Sequence, residues 1–265
     1  MNQIINNIWG IKLISPYTEN RYSELSILLT RIMSALAEKS AELKWDIHLY
    51  VSNKYYEFTI VDKKAINIVW FIDDFEKYSA RYIDKFDYIF TTASDYRWIN
   101  VELAASNINI LPVDRDCDIS VFASADNDNE VLNLLKKLPN TQIYGVANFE
   151  GSLFVSDVDL ASIISRSKIC VVLNSQSQLA IGALNMYCFD AVAYGAVLLT
   201  NIRHYRGLLS KCIVNIDKSN IINEIDKLLA SDIILKSKLM HNQHILGKVR
   251  WAYRINQIVD IVNKL

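Results

Sequence analysis

The feature that most constrains this chain is an alternation. Short apolar runs rich in Val, Ile, Tyr and Phe take turns with longer stretches whose apolar residues recur every three or four positions. The short β-rich runs read as strands and the longer periodic stretches as amphipathic helices. Their regular exchange dictates β-α units on a mostly parallel sheet, because consecutive parallel strands must be joined by a crossover. In the first half, strands are expected over 11–15, 46–52, 66–73, 88–92 and 108–113. Between the first two, residues 23–44 place Leu25, Leu28, Leu29, Ile32, Met33 and Leu36 on one helical face. The second half repeats the plan, with strands over 119–123, 142–146, 169–173, 196–200 and 212–215. Helices are expected over 131–138, 160–165 and 183–194, and residues 221–265 read as helical almost throughout. The fold class that follows is α/β, with two Rossmann-like halves facing each other across a cleft.

The polar run Asp114-Arg115-Asp116-Cys117-Asp118 marks the boundary, giving halves of 1–115 and 116–265. It is neither Gly-rich nor Pro-rich, so it reads as a stiff hinge or a crossing strand. Composition sets the remaining bounds. Apolar residues make up 51% and charged residues 22%, enough to close real cores and far from the signature of disorder. The 28 basic and 29 acidic residues leave a net charge of -1, too little field to hold a polyanion, so no nucleic-acid partner is expected. The first residues lack a secretory pattern and no run nears the roughly 20 apolar residues of a membrane helix, so a cytoplasmic chain without a transmembrane segment is expected. Cys117, Cys170, Cys188 and Cys212 are scattered among apolar neighbours and read as buried thiols. His241 and His244 have no third ligand nearby in sequence, and no metal is expected.

Parallel sheets bind ligands beyond the carboxyl ends of their strands, so those residues carry the chemistry. The most informative stretch runs from Ser165 through Asn174 and Gly182 to Thr200: strand, polar loop, helix, glycine, strand. Gly182 allows close approach at the loop, Asn185 caps or lines the helix start, and Gly195 suits the left-handed position after the helix. The free amides of that first helical turn form an anion site that fits a pyrophosphate. Asp190, set among Cys188, Phe189, Ala191 and Val192, is placed to accept from ribose hydroxyls or else to face solvent at the helix edge. In the first half, Asp73 and Asp74 follow one strand, and Thr92 and Ser94 follow another. The paired acids suit a base or a divalent ion, or alternatively cap the helix that begins near Phe75. With 7 glycines and no GxGxxG or GxxxxGK frame, dinucleotide and P-loop sites are disfavoured. Tyr55, Tyr56, Tyr82, Tyr96 and Trp98 suit sugar stacking, but core packing is the preferred reading.

The order Ser167-Lys168, apolar strand, Leu173-Asn174, a loop, then Asn185 to Thr200 with Phe189-Asp190-Ala191, Gly195 and Leu198-Leu199-Thr200 resembles the C-terminal half of group 1 glycosyltransferases of the GT-B fold. It is nearest to their spore maturation protein-like branch. Trp70 to Asp73, Phe86 to Thr92 and the ending Trp251-Ala252-Tyr253-Arg254 are similar to further elements of that branch. The resemblance spans roughly residues 65 to 265 and implies a metal-independent hexosyltransferase of bacterial glycan biosynthesis, probing a nucleotide sugar as donor substrate and no other cofactor. The acceptor it implies is a glycan, lipid-linked or protein hydroxyl, with retention at the sugar carbon and room for peripheral membrane contact. On this resemblance Asn174, Gly182, Asn185, Tyr187, Asp190, Thr200 and Arg206 hold the donor, and Asp190 stands where the family has a ribose-binding Glu. Arg203 and Asp73 are the catalytic candidates, Arg203 neutralising the leaving diphosphate with Arg166 and Lys168 next in line. Asp74, Thr92 and Ser94 line the acceptor side. Two positions depart from the branch: Tyr187 replaces a common Arg, and Gly182 replaces a first Glu. A non-catalytic nucleotide- or sugar-binding scaffold of the same fold is the alternative, and a receiver-like or flavodoxin-like regulator ranks behind it.

Overall fold

The computed structural model describes residues 2–8, 11–16, 24–37, 46–52, 56–60, 62–72, 80–93, 99–106, 108, 113–123, 129–145, 149–153 and 156–264. The chain is an α/β protein of two compact Rossmann-like units: Met1–Leu103 together with Trp251–Leu265, and Ala104–Arg250. The second unit begins at Ala104, so the polar run expected at the boundary lies within it. The cause is local bonding of residues 104–106 into the second unit. Ala105 forms a parallel bridge with Arg250 and donates its amide to the Val249 carbonyl at 2.7 Å, and Ser106 donates its own to Asp190 at 3.2 Å.

In the first unit, β1 (Asn2–Ile8) runs antiparallel to β2 (Ile11–Pro16). Beyond it β3 (Ile47–Ser52), β4 (Ile66–Phe71), β5 (Tyr88–Thr91) and the short β6 (Ile99–Asn100) add in parallel, strictly in chain order. The β4 sequence INIVWF is apolar at nearly every position and buried from Asn67 to Phe71, as a central parallel strand covered on both faces must be. Helix α1 (Glu24–Ala37) realises the expected apolar face through buried Leu28, Leu29, Ile32 and Leu36. A four-residue helix, α2 (Ala80–Ile83), leads into β5. The strand expected over 108–113 falls mostly outside the described residues, and its described members Ile108 and Val113 belong to no strand.

The second unit is parallel throughout. Its strands are β7 (Cys117–Ala123), β8 (Thr141–Tyr144), β9 (Ser167–Leu173), β10 (Val197–Thr200) and β11 (Ile213–Asn215). They are ordered β11-β10-β9-β7-β8. Helices α3 (Asn129–Lys136), α4 (Asp157–Arg166), α5 (Gln176–Ala180) and α6 (Met186–Ala193) fill the connections up to β10. The chain goes from β7 out to β8 on one side, then returns to place β9 on the other, so the strand order reverses between β7 and β9. Ile119, Val121, Ile169, Val171 and Leu199 form the sheet's share of one core, against Leu132 and Leu135 of α3. Burying each such side chain stabilises by about 1.5–3 kcal/mol.

The helical tail is three helices and not one. Helix α7 (Ile221–Leu229) buries Ile221, Ile225 and Leu228, then stops as Ser231 caps α8 (Asp232–Gln243). After a short 3-10 turn at Leu246–Lys248, α9 (Trp251–Asn263) belongs to the first unit and packs on α1. Its anchors are two. Trp251 is fully buried with its ring edge-on to Trp70 at 5.6 Å, and Arg254 pairs with Glu102 at 3.2 Å with both side chains under 10% exposed. Among the described residues no helix is long and apolar enough to cross a membrane.

Candidate functional site

The reversal of strand order at β7 and β9 singles out one place in the second unit. Where neighbouring connections leave a parallel sheet in opposite directions, a crevice opens beyond the strands' carboxyl ends. The described residues there are Asn174 and Ser175 after β9, and Asn201 after β10.

These ends are locked together by amides and hydroxyls. Asn174 is wholly buried. Its side-chain amide donates to Thr200 Oγ1 at 2.6 Å, its Oδ1 accepts from the Asn185 backbone at 2.7 Å, and its own backbone N–H donates to Asn201 Oδ1 at 2.8 Å. Asn201 Nδ2 returns a bond to the Asn174 carbonyl at 3.3 Å. The network pins β9, β10 and the start of α6 to one another with neutral groups, each buried donor finding an acceptor as burial requires. It unites three of the expected residues, Asn174, Asn185 and Thr200. Asn201 is not among the sequence candidates, although its position directly past a strand end is the signal that finds it.

Between β9 and α6 the chain turns through α5, whose start is a capping box. Ser175 Oγ accepts from the Gln178 amide at 3.3 Å, and Gln178 Oε1 accepts from the Ser175 amide at 3.0 Å. Gly182 then takes φ +65°, a left-handed conformation that side chains rarely adopt. Nothing lies within 4 Å of where its Cβ would stand, so the glycine serves conformation and leaves open space beside the loop.

Asn185 caps α6 as expected, its side chain accepting from the Tyr187 amide at 3.0 Å, and the Cys188 amide bonds back to the Asn185 carbonyl at 3.0 Å. Ala183, Leu184, Asn185 and Met186 are all buried. Two amides of the first turn of α6, those of Tyr187 and Cys188, are thus taken up by Asn185 in this conformation. Tyr187 is half-buried with its ring 5.0 Å from Phe122. At the far end Gly195 does hold the left-handed position, with φ +80° and bonds from Gly195 N to Val192 O and from Ala196 N to Ala191 O.

Asp190 is wholly buried, and its Oδ1 accepts from the Ser106 amide at 3.2 Å. Ser106 is further held through its carbonyl by Arg250 at 2.6 Å and by the Tyr194 hydroxyl at 3.4 Å, while the Arg250 guanidinium lies 5.0 Å from the centre of the Tyr194 ring. The carboxylate therefore positions the segment entering this unit. With no exposed surface it offers ribose hydroxyls nothing in this conformation.

The cations divide between the two edges of the sheet. Arg203 and Arg206 are exposed in the loop after β10, on the carboxyl side. Arg203 approaches Asp217 at 3.3 Å, but the carboxyl of Asp217 is held below its ordinary range chiefly by the Ser219 hydroxyl and amide, with Arg203 contributing least. The Arg203 side chain keeps most of its surface exposed. Arg166 and Lys168 stand at the opposite, amino edge. They flank the start of β9 and pair with Asp116 and Asp118, and a strand of 7 residues separates that edge from Asn174, about 20 Å at the usual rise. A cavity of about 240 Å³ lined by Asp116, Cys117, Asn140, Gln142, Ile163 and Arg166 lies at this same amino edge. It is away from the crevice that the topology defines. In the first unit Thr92 is buried and donates its hydroxyl to the Ile72 carbonyl at 2.8 Å, tying the ends of β4 and β5. Asp73, Asp74 and Ser94 lie outside the described residues.

No family model matches the chain, and no curated protein matches it. Among solved structures it is similar to CalG4, the calicheamicin glycosyltransferase, with a TM-score of 0.37 and 9% identity over 91% of this chain and 73% of that one. A likeness of that depth carries no argument about chemistry.

Proposed function

We propose that this chain is a glycosyltransferase whose second unit holds a nucleotide-diphosphate sugar beyond the carboxyl ends of β7, β9 and β10. The observation that supports this reading is the strand-order reversal at β7 and β9, with the loops beyond it locked by Asn174, Asn185, Thr200 and Asn201. A crevice of that kind, walled by fixed neutral polar groups and open beside Gly182, suits a polyhydroxylated ligand, and the sequence resemblance to group 1 glycosyltransferases agrees with it. In this proposal Arg203, exposed at the carboxyl side, turns from Asp217 onto the donor diphosphate with Arg206, while Gly182 and Tyr187 border the donor. Asp190 acts at one remove, by fixing the Ser106 backbone.

The reaction is displacement at the anomeric carbon. An acceptor hydroxyl of a glycan, lipid-linked or protein substrate forms the new C–O bond, and the bond to the diphosphate breaks. The leaving phosphate oxygens take up the electron pair beside Arg203, and the hydroxyl proton passes to them. Configuration is retained, and the chemistry needs neither metal nor further cofactor. Preorganised cations at the leaving group supply the dominant stabilisation in such a site.

The burial of Asp190 and the self-capped start of α6 favour a second reading, in which the same unit binds a sugar or nucleotide without turning it over. A thermal-shift panel of UDP, GDP, dTDP, ADP and CMP, followed by product release from the matching sugar nucleotides, separates the readings. A nucleoside diphosphate at 100 times its Kd adds about 2.7 kcal/mol of stability. A shift with turnover that Arg203→Ala abolishes supports the transferase. A shift without turnover supports the binding protein, and no shift with any of the five ends the transferase reading.

A further inference from the structure

The first unit carries a cleft of about 560 Å³ that the proposed transfer does not use, within the range typical of small-molecule sites. It lies at the amino edge of the sheet, beside the turns that lead into β4 and β5, and is independent of the reading above. Its walls are held on both sides. The extended segment bearing Phe58, Thr59 and Ile60 is pinned by the Tyr82 hydroxyl, which accepts from the Phe58 amide at 2.8 Å and donates to the Tyr56 carbonyl at 3.3 Å. Phe58 packs edge-on against Tyr50 at 5.3 Å and Tyr56 at 4.9 Å, so this wall has a rigid aromatic backing.

The opposite wall is a pair of interlocked turns. Asp87 donates its amide to the Asn67 carbonyl at 2.8 Å and accepts the Asn67 amide on Oδ2 at 2.7 Å. The Asn67 side chain donates to the carbonyls of Asp62 and Ala65 and accepts from the Tyr50 hydroxyl at 3.1 Å. Two cations project from these turns, Lys63 ahead of β4 and Lys85 ahead of β5, and both line the cleft. Among the described residues neither has a carboxylate partner, and the Lys85 ammonium sits 5.2 Å from the centre of the Tyr82 ring. Among the described residues the one acid lining the cleft, Asp87, already has an oxygen committed to the Asn67 amide. The cleft is thus preorganised, apolar along Phe58 and Ile60, and carries two ammonium groups against one engaged carboxylate.

We propose that this cleft binds a small organic anion with a flat apolar body, of the aromatic carboxylate class. The carboxylate lies between Lys63 and Lys85, and the ring lies along the wall of Phe58 and Ile60. Point-charge ammonium groups suit a monoanion without demanding the bidentate geometry of a guanidinium.

The test uses 2-naphthoate as probe, with the neutral 2-naphthylmethanol as its control, titrated calorimetrically into the full chain. One saturable site is expected, weakened at least tenfold in Lys63→Met/Lys85→Met and at least tenfold for the neutral probe. Both lysines are exposed, so the double variant is expected to keep the native circular dichroism spectrum. Ile60→Trp, which fills the cleft while leaving both cations, is expected to block binding. Absence of saturable binding overturns the proposal. So does equal affinity in the lysine variant, equal affinity for the alcohol, or undiminished binding in Ile60→Trp. Nucleotide shifts in the second unit are read separately, so failure here leaves the transferase proposal standing.

Discussion

Replacing Arg254 by Met tests how the final helix is held to the first unit. Arg254 is 5% exposed; its Nη2 meets Glu102 at 3.2 Å, its Nε donates to the Leu103 carbonyl at 3.4 Å, and its Nη1 donates to Gln257 at 3.0 Å. Methionine replaces much of the aliphatic stem but leaves the Glu102 carboxylate buried without its cation. Breaking a buried pair from one side costs about 3–5 kcal/mol, several times the worth of an exposed pair. With a urea dependence of about 2 kcal/mol/M, the unfolding midpoint of this unit falls by about 2 M. The assay is selective, because all 5 tryptophans (Trp9, Trp45, Trp70, Trp98 and Trp251) lie in the first unit, so tryptophan emission reports it alone. Glu102→Leu/Arg254→Met removes both charges and is expected to recover most of the loss, since a well-filled apolar pair costs little relative to the ion pair. A midpoint shift below about 0.5 M for Arg254→Met, or a double variant whose loss equals the sum of the two singles, refutes the reasoning.

Three further outcomes are expected. His48 is buried, with its pKa lowered first by burial and then by Lys12, against smaller opposing effects of Asp62 and Asp46. A depressed folded pKa means that the unfolded chain takes up the proton first. Stability of the first unit should therefore fall as pH drops below about 6.5, by at most about 1.4 kcal/mol per unit from this residue, and His48→Phe should flatten that slope in tryptophan-monitored urea melts. Gly195→Ala should destabilise the second unit by about 1–2 kcal/mol in calorimetry, because φ is +80° and the new Cβ would stand 3.0 Å from Arg115 Nη2. Asp190→Ala should remove protection of the Ser106 amide in native-state hydrogen exchange, whereas Asp190→Asn, which keeps an acceptor, should retain it; equal exchange in both would contradict the positioning role.

Much of the fold was legible because it is written locally. The apolar runs at 47–52, 66–71, 117–123 and 167–173 are strands, and the cap at Asn185 and the left-handed Gly195 follow from residue type next to the helix they bound. What escaped the sequence is non-local. Asp190 finds Ser106 84 positions away, and Arg254 finds Glu102 152 positions away. No periodicity encodes either partner. Those two contacts account for the early division at Ala104 and the return of α9, neither of which a polar run at 114–118 could reveal. The helical period over 221–265 was real, yet it does not register the cap at Ser231 or the turn at Leu246, because the apolar spacing continues across both. At the candidate site, residue type singles out strand ends but does not fix orientation. An acid on an apolar helix face is equally compatible with a ligand and with a backbone amide, and burial chose the amide.

The placement of the donor is tested most directly by hydrogen–deuterium exchange of the whole chain with each nucleoside diphosphate at millimolar concentration. The expected result is slowed exchange in peptides spanning 174–187 and 200–206 for at least one nucleotide, with 116–118 and 140–142 at the amino edge unchanged. Protection confined to the amino edge, or no change in any peptide with every nucleotide, would contradict a donor site at the carboxyl ends of β7, β9 and β10.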